Sequence, residues 1–206
     1  VAPDIKPNRY QQISQIMKQY EPKSIVETGT WNGGRAIQMA LTAFDYTDTF
    51  TYHGYDLFED ATIETDHEEF NAKAHNKMSA VQERLQSFAE HIKETKNKTF
   101  IFELNKGNTK DVLQDQGEWF DMAFVGGGNS IKTVAHDYEC VNKTPIIMFD
   151  HYFRPDDDKM APNDAYYGVN KVWDSLKGNK DIRKFILPSG DKVNGGGFTN
   201  LMLILN

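Results

Sequence analysis

The sequence alternates short apolar runs with longer stretches in which apolar residues recur at helical spacing. Because a short apolar run suits a buried strand and the longer spacing suits a helix, this alternation indicates successive strand-helix units. Units of this kind build a parallel sheet that is covered by helices on both faces, so we expect an α/β fold. The predicted strands of these units span residues 24–27, 50–56, 99–104, 120–125 and 145–149.

The two ends of the chain complete this arrangement. Apolar residues at helical spacing predict a leading helix over residues 8–20. Near the other end, apolar runs at 182–187 and 199–205 are separated by a glycine-rich turn at 195–197, which predicts a hairpin. The expected architecture is therefore a Rossmann-like, seven-stranded, mostly parallel sheet with an antiparallel last strand and helices on both faces.

The same pattern bears on domain organisation. We expect a single domain over residues 1–206, with residues 1–22 as its N-terminal helical segment. Residues 57–79 are the least regular part and are a possible lid insertion. The acidic run at 59–69 is either a solvated loop or helix face, or part of a lid that meets a cationic ligand, and both interpretations stay open.

Composition narrows the possible partners and location. A formal net charge of -7 argues against nucleic acid as a partner, because phosphate backbones require clustered cations. No apolar run approaches the roughly 20 residues that span a bilayer, so we expect no membrane association. The single cysteine, Cys140, fits a reducing compartment, and no secretory signal is visible in the first residues. We therefore expect a cytoplasmic protein, a possible homo-oligomer, that acts on a small molecule.

The glycines that follow the first predicted strand indicate a ligand site. In open parallel sheets, ligands bind beyond the carboxyl ends of the strands, and residues 27–34 read ETGTWNGG at that position. The run contains neither the GxGxxG dinucleotide fingerprint nor a phosphate-binding P-loop lysine. Glu27 suits a ligand with a positive amino group, and Asp56, at the end of the second strand, suits a pair of ribose hydroxyls.

This combination resembles the class I S-adenosylmethionine-dependent methyltransferases. The resemblance rests on E-x-G-x-x-x-G-G after the first strand, a terminal acid on the second strand and the antiparallel last strand, and it covers residues 20–206. Within that superfamily, FDMAFVGGGNSIKTVAHDYE followed by IIMFDHYF resembles the branch of small-molecule O-methyltransferases that includes macrocin-type enzymes.

The resemblance implies S-adenosylmethionine as cofactor and S-adenosylhomocysteine as product. By that resemblance, Glu27, Thr28 and Gly29 contact the methionine moiety, Asp56 contacts the ribose, and Asn108 and Thr109 lie near the adenine. The full set of candidate cofactor-binding residues is Glu27, Thr28, Gly29, Thr30, Asn32, Gly33, Asp56, Leu57, Asn108, Thr109 and Gly126.

Three of these assignments have a purely structural alternative. Gly33 and its neighbour Gly34 are also explained by close packing of a helix on a strand. Asp56 is also explained as a loop cap. Asn108 is equally well explained as the N-cap of a short helix.

The sequence departs from the family pattern at the positions that carry chemistry. Gly126 stands where relatives usually have a metal-binding aspartate, and Asn129 stands where a histidine is frequent. Asp150 and His151 remain, which is few ligands for a divalent metal, so a metal is possible but not favoured.

The candidate catalytic residues are His151, Asp150 and Asn129. His151 is a candidate general base oriented by Asp150, since an imidazole titrates near neutral pH. The alternatives are catalysis by proximity alone, or a chain that binds the cofactor and has lost turnover.

The leading hypothesis is a methyltransferase that transfers a methyl group from S-adenosylmethionine to an oxygen of a small polar metabolite such as a sugar. The alternative is a catalytically weakened, cofactor-binding protein of the same type with a regulatory or assembly role. A nicotinamide-dependent oxidoreductase is a weaker third hypothesis, because the glycine spacing and the terminal hairpin disfavour it.

Overall fold

A seven-stranded sheet organises the part of the chain that the computed structural model describes, which is residues 8–71, 73–154, 167–192 and 197–206. The strands are β1 (Ser24–Thr28), β2 (Thr49–Asp56), β3 (Thr99–Lys106), β4 (Met122–Val125), β5 (Ile146–Arg154), β6 (Arg183–Lys192) and β7 (Phe198–Leu205). The helices are α1 (Gln11–Tyr20), α2 (Gly34–Ala43), α3 (Ile63–Glu68), α4 (Met78–Lys96), α5 (Thr109–Val112), α6 (Ile131–Val141) and α7 (Gly168–Ser175), with short 3-10 turns at Asn8–Tyr10 and Phe58–Asp60.

The strand order is β3-β2-β1-β4-β5-β7-β6. The first five strands run parallel, while β7 runs antiparallel to both β5 and β6. The predicted architecture is therefore confirmed. The order reverses between β1 and β4. In open α/β sheets, ligands bind at such a switch point, in the crevice beyond the carboxyl ends of the strands.

Apolar residues bury both faces of the sheet. On one face, α1, α2 and α4 pack through residues such as Ile13, Met39 and Leu85, all with no exposed surface. On the other face, α6 and α7 pack through residues such as Val134 and Val169. Helical spacing places each of these side chains on the inner side of its helix, which explains why the alternation of the sequence predicts the layers.

Strand β5 extends further than predicted. The predicted strand ends at residue 149, but β5 continues to Arg154, so Asp150 and His151 lie within the strand rather than beyond it. The pairing with β7 shifts register between Phe149 and Tyr152, which is a β-bulge. The bulge turns these two residues out of the regular ladder, towards the end of the sheet where the crevice lies.

The possible lid has more regular structure than predicted. Helix α3 begins after Thr62, whose hydroxyl accepts the amide of Thr65 in a capping box. Helix α4 takes in residues 78 and 79, so we use the name lid segment for residues 57–77. The predicted turn at 195–197 falls partly outside the described residues. No helix among the described residues is long and apolar enough to cross a membrane.

Candidate active site

A cavity of about 310 Å³ lies at the carboxyl ends of the parallel strands, beneath the lid segment. Its wall includes two of the three candidate catalytic residues, Asn129 and His151. It also includes more than half of the candidate cofactor-binding residues, which are Gly29, Asp56, Leu57, Asn108, Thr109 and Gly126. The structure thus brings together residues from the ends of β1 to β5 that are far apart in sequence.

Gly29 lets the loops after β1 and β4 cross at close range. Its φ of +86° lies in the left-handed region, which side chains rarely adopt. A Cβ at this position would lie 2.5 Å from the carbonyl oxygen of Gly126 and 2.6 Å from the Cα of Gly127. Only main chain fits at the crossing, so the cavity floor there is made of peptide groups that a ligand can approach closely.

Asp56 is fixed on the cavity wall by main-chain donors. Its carboxylate accepts the amide of Trp31 at 2.8 Å and the amide of Phe58 at 2.8 Å. No side-chain cation is bonded to it among the described residues, so each oxygen retains acceptor capacity on the cavity side. Asp56 therefore caps a loop and also faces the cavity, which combines the two interpretations of the sequence.

Asn108 also combines its two interpretations. Its side chain accepts the amide of Lys110 at 3.1 Å as the N-cap of α5, and the residue lies on the cavity wall.

Gly33 differs from Asp56 and Asn108, because it is not on the cavity wall. A Cβ there would lie 3.1 Å from side-chain atoms of both Val81 and Leu85, so close packing on α4 accounts for this glycine.

Glu27 is directed away from the cavity. Its carboxylate is fully buried, pairs with Arg35 at 2.7 Å and accepts a hydrogen bond from the hydroxyl of Tyr52. Burial raises the pKa of Glu27, and Arg35 and Tyr52 offset part of that shift. The structure thus brings Glu27 to a protein cation rather than to the cavity wall.

Three further candidate residues lie behind the wall. Thr28 and Thr30 are buried, and the hydroxyl of Thr30 lies 3.2 Å from that of Tyr52. The side chain of Asn32 accepts the amide of Gly34 at 2.9 Å, at the start of α2. These residues shape the loop after β1, which in turn positions Gly29.

Asp150 lies at the centre of a buried network of charges. Its carboxylate pairs with Arg9 at 2.7 Å, accepts a hydrogen bond from the hydroxyl of Tyr10, and has Arg35 3.9 Å away. Burial alone would raise its pKa, but the neighbouring charges, chiefly His151 and Arg9, outweigh burial and hold the pKa well below its usual range. Asp150 therefore stays ionised and serves as a fixed counter-charge.

Sequence reasoning missed Arg9 and Arg35. Arg9 reaches Asp150 from the first turn of the described chain and pairs with Asp191 of β6 at 2.7 Å as well. Nothing near Arg9 in the sequence marks this role. The position of Arg35, directly after the two glycines at the start of α2, was an available signal, because that position faces the same crevice.

His151 lies beside Asp150 on the cavity wall. Its amide donates to Asp150 at 2.8 Å, and its Nε2 lies 3.6 Å from the same carboxylate, while its side chain stays 30% exposed. Its φ of +66° is unusual for a non-glycine residue and follows from the bulge. Burial lowers the pKa of His151; Asp150 opposes this shift, and Arg9, Lys73 and Arg35 add to it. The imidazole is therefore neutral at neutral pH and can accept a proton.

The fold resembles solved methyltransferase structures over nearly the whole chain. An O-methyltransferase from Streptomyces achromogenes that is involved in tomaymycin synthesis, TomG in complex with SAM, aligns with a TM-score of 0.64 and 13% identity, covering 98% of this chain and 81% of that one. An O-methyltransferase from Bacillus cereus in complex with SAH aligns with a TM-score of 0.59 and 13% identity, covering 100% of this chain and 84% of that one. The SAH-bound Podospora anserina methyltransferase PaMTH1 aligns with a TM-score of 0.57 and 16% identity, covering 95% of this chain and 76% of that one.

This chain has the class I methyltransferase fold. At such low identities the likeness concerns the fold, and the chemistry has to be argued from the residues of this chain. Comparison with protein-family models gives no match, and comparison with curated protein sequences gives none either.

The ends of β4 and β5 do not suit the divalent metal that many methyltransferases of this fold hold there. Gly126 offers no side-chain ligand, and the oxygens of Asp150 already receive Arg9, Tyr10 and the amide of His151. Hard cations such as magnesium require about six oxygen ligands. Among the described residues, no group of three or more His, Cys, Asp or Glu side chains is placed to hold a metal ion.

A carboxylate of the lid segment anchors it to the loop after β4. Glu69 accepts the amides of Asn129 at 3.1 Å and Ser130 at 3.0 Å, and it also accepts the hydroxyls of Ser130 and Thr133. These groups belong to the N-terminal end of α6, where a negative charge is stabilised. The side-chain amide of Asn129 in turn donates to the carbonyl of Glu69 at 3.1 Å. Asn129 thus binds the lid segment in this structure, while remaining on the cavity wall.

Proposed function

We propose that this protein is an S-adenosylmethionine-dependent methyltransferase that acts on an oxygen of a small molecule. The observation that supports this best is the cavity at the switch in strand order, where the main-chain crossing at Gly29 lies beside Asp56 at the ends of the neighbouring strands β1 and β2. A nucleoside with an amino-acid tail needs both features: a carboxylate for the ribose hydroxyls and a floor without side chains for close approach.

The proposed roles of the cavity residues follow from their position. Asp56 accepts the ribose hydroxyls, and Leu57, Asn108 and Thr109 lie beside the adenine. Gly29 and Gly126 face the methionine moiety with peptide groups. Glu27, Thr28, Thr30, Asn32 and Gly33 support this loop from behind, because none of them is on the cavity wall.

The proposed chemistry depends on a single proton acceptor. S-adenosylmethionine supplies a methyl group on a positively charged sulfur, and transfer forms one oxygen-carbon bond while the electron pair of the broken carbon-sulfur bond stays on sulfur. His151 takes the proton of the acceptor hydroxyl on its neutral imidazole. The carboxylate of Asp150 accepts the main-chain amide of His151, and its negative charge, 3.6 Å from Nε2, stabilises the imidazolium that forms. Arg9 and Tyr10 keep Asp150 in place.

Titration calorimetry tests the cofactor assignment. We expect saturable binding of S-adenosylmethionine and S-adenosylhomocysteine, and no saturable binding of NAD. Incubation of the protein with donor labelled in the methyl group and a fractionated metabolite extract then tests transfer. Binding of NAD without binding of the sulfur compounds would refute the proposal.

A second function is favoured by one specific observation. Asp150 is committed to Arg9 and Tyr10, and Gly126 has no side chain, so the residues that bind metal in relatives have a structural task or none. A protein that binds the cofactor without turnover, in a regulatory or assembly role, would show the same features. Tight binding of S-adenosylhomocysteine combined with no label transfer to any extract fraction would favour this second function.

A further inference from the structure

The charges of the lid segment point to the kind of molecule that accepts the methyl group. We propose that the acceptor is a hydroxyl compound that carries a carboxylate, and that Lys73 of the lid segment binds this carboxylate. The inference rests on the proposed methyltransferase function and adds the substrate class, which neither the fold nor the similar structures supply.

The acidic residues of the lid segment are committed to protein partners. Glu59 accepts the amide of Met78 at 2.8 Å, and Lys106 lies 3.3 Å from Glu59 and 3.1 Å from Asp60. Asp66 pairs with His75 at 2.6 Å. With Glu69 bound to the start of α6, the acids of this segment that reach the cavity, Asp66 and Glu69, are bonded to groups of the protein. The structure therefore disfavours the interpretation of the acidic run as a site for a cationic ligand.

Lys73, a basic residue of the lid segment, differs from these acids because it has no ion-pair partner among the described residues. Its side chain is on the cavity wall, and no carboxylate of the described residues lies within ion-pairing distance of it. Its ammonium lies over the indole ring of Trp31, 5.6 Å from the ring centroid. Arg35, which also lies on the wall, pairs with Glu27. Within the part of the chain that the structure describes, Lys73 is thus a positively charged side chain of the wall that has no carboxylate partner.

Two contacts fix the position of Lys73. On one side, the indole of Trp31 donates to the carbonyl of Ala74 at 3.0 Å. On the other side, Glu69 anchors the segment to the loop after β4. Lys73 lies between these two anchors, so its main chain is held beside the cavity, and its ammonium lies over the ring of Trp31. A cation held in place in advance loses less conformational entropy when it binds an anion.

The surroundings of Lys73 favour an anion. Withdrawal from water lowers the pKa of Lys73; Asp150 opposes this shift, and the positive charges of Arg35 and Arg9 add to it. Asp150 is already paired with Arg9, so it is not free to serve as the counter-charge of Lys73. Lys73 and His151 line the same cavity, so a molecule whose carboxylate binds Lys73 can present its hydroxyl to the imidazole.

Two probes of equal shape and different charge test the proposal. Salicylate carries a hydroxyl beside a carboxylate, whereas salicylamide has a neutral amide in the same place. We expect the protein saturated with S-adenosylhomocysteine to bind salicylate about tenfold more tightly than salicylamide, as measured by titration calorimetry. The preference should disappear in Lys73→Gln and persist in Lys73→Arg, because the arginine keeps the charge.

Lys77→Gln provides the matched control. Lys77 is exposed as Lys73 is, but it lies four positions further along the chain and is not on the cavity wall, so the substitution removes the same charge without touching the site. We expect the preference for salicylate to be unchanged in this variant. Circular dichroism of all three variants checks that the fold is intact.

Several results would overturn the inference. They are equal affinity of the two probes, no binding of salicylate, or a preference that survives in Lys73→Gln. A loss of S-adenosylhomocysteine affinity in Lys73→Gln as large as the loss of salicylate affinity would also overturn it, because the lysine would then serve the cofactor's own carboxylate. If S-adenosylhomocysteine does not bind to the wild-type protein, the proposed function fails, while the same titrations without it still test Lys73.

Discussion

Asp56 and Asp150 are two acids at equivalent places in the sheet, and the structure uses them in opposite ways. Asp56 is the last residue of β2, and Asp150 follows the apolar run at residues 146–149 within β5. Asp56 is held by two main-chain amides and faces the cavity, whereas Asp150 is fully buried among Arg9, Tyr10 and His151. Whether a strand-end acid is free for a ligand therefore depends on which cations the rest of the chain brings to it, and the acid's own position in a motif does not decide this.

Removing the cation from Asp150 should have the largest effect. Arg9→Met leaves a buried carboxylate without its main partner, and the loss of one member of a buried pair costs about 3–5 kcal/mol of the free energy of unfolding. Urea denaturation of the variant and the wild type measures the difference. Lys18→Met is the control, because its pair with Asp45 has the same 2.7 Å distance but is exposed on both sides, and should cost no more than about 1 kcal/mol. Equal losses in the two variants would contradict the contrast between buried and exposed pairs.

Substitution of His151 tests whether the residues near Asp150 take part in proton transfer as well as in charge pairing. His151→Gln should lower the rate of methyl transfer about 10²–10³-fold, the range typical of a lost general base. His91→Gln, on the exposed side of α4, should leave the rate unchanged.

The pH profile gives an independent check on His151. The base acts in its neutral form, and its pKa is lowered from 6.5, so transfer by the wild type should stay near its maximum below pH 6.5 and fall only as the pH drops through the lowered value. A profile that falls at a pH above 6.5 would exclude His151 as the group that titrates.

The main-chain crossing on the Asp56 side should tolerate no side chain. Gly29→Ala combines a left-handed backbone with a Cβ 2.5 Å from the carbonyl oxygen of Gly126, and such strain costs about 1–3 kcal/mol of the free energy of unfolding. Calorimetry should also show weakened binding of S-adenosylhomocysteine. Gly178→Ala is the control: its φ of +90° is similar, but no atom lies within 4 Å of the added Cβ. A Gly29→Ala protein that binds the ligand as the wild type does would show that the crossing is not the ligand floor.

The smallest effect should come from Asp56 itself. Asp56→Asn keeps an acceptor oxygen for only one of the two main-chain amides, which bond to different oxygens, so we expect the free energy of unfolding to fall by about 1 kcal/mol. The affinity for S-adenosylhomocysteine should fall about tenfold, because a charged acceptor for the ribose is replaced by a neutral one. Calorimetry and urea denaturation on the same sample separate the two quantities. A large loss of stability with unchanged affinity would place Asp56 in the same structural class as Asp150.

Local patterns were enough to predict the fold and one half of the site. The succession of strand-helix units follows from the alternation of apolar runs, and Asp56, Asn108 and Gly29 were singled out because each lies at the end of a predicted strand. The other half depends on contacts across the sheet. Arg9 and Asp150 are 141 positions apart, and no periodicity links them. The overrun of β5 was missed because a bulge lets a strand continue past residues that read as its end.

The same dependence on tertiary contacts explains why the sequence predicts a ligand as the partner of Glu27, whereas the structure shows a protein side chain. An acid before a glycine-rich loop suggests an ammonium partner, and Glu27 does have a cationic partner. That cation is Arg35, eight positions along the chain, which sequence alone did not distinguish from a surface residue of α2. Residue type predicted the chemistry of the contact but not whether protein or ligand supplies its other member.

The pairing of Arg9 with both Asp150 and Asp191 has a consequence for the order in which this protein acquires its structure. Asp191 lies in β6, and β6 is joined to the rest of the sheet only through β7, the final strand. The charges around His151 can therefore be balanced only after β6 and β7 have been synthesised and paired. Until then Arg9 has no acid to meet at β6, so a chain that ends before β6 would lack one of the two acids that hold this arginine.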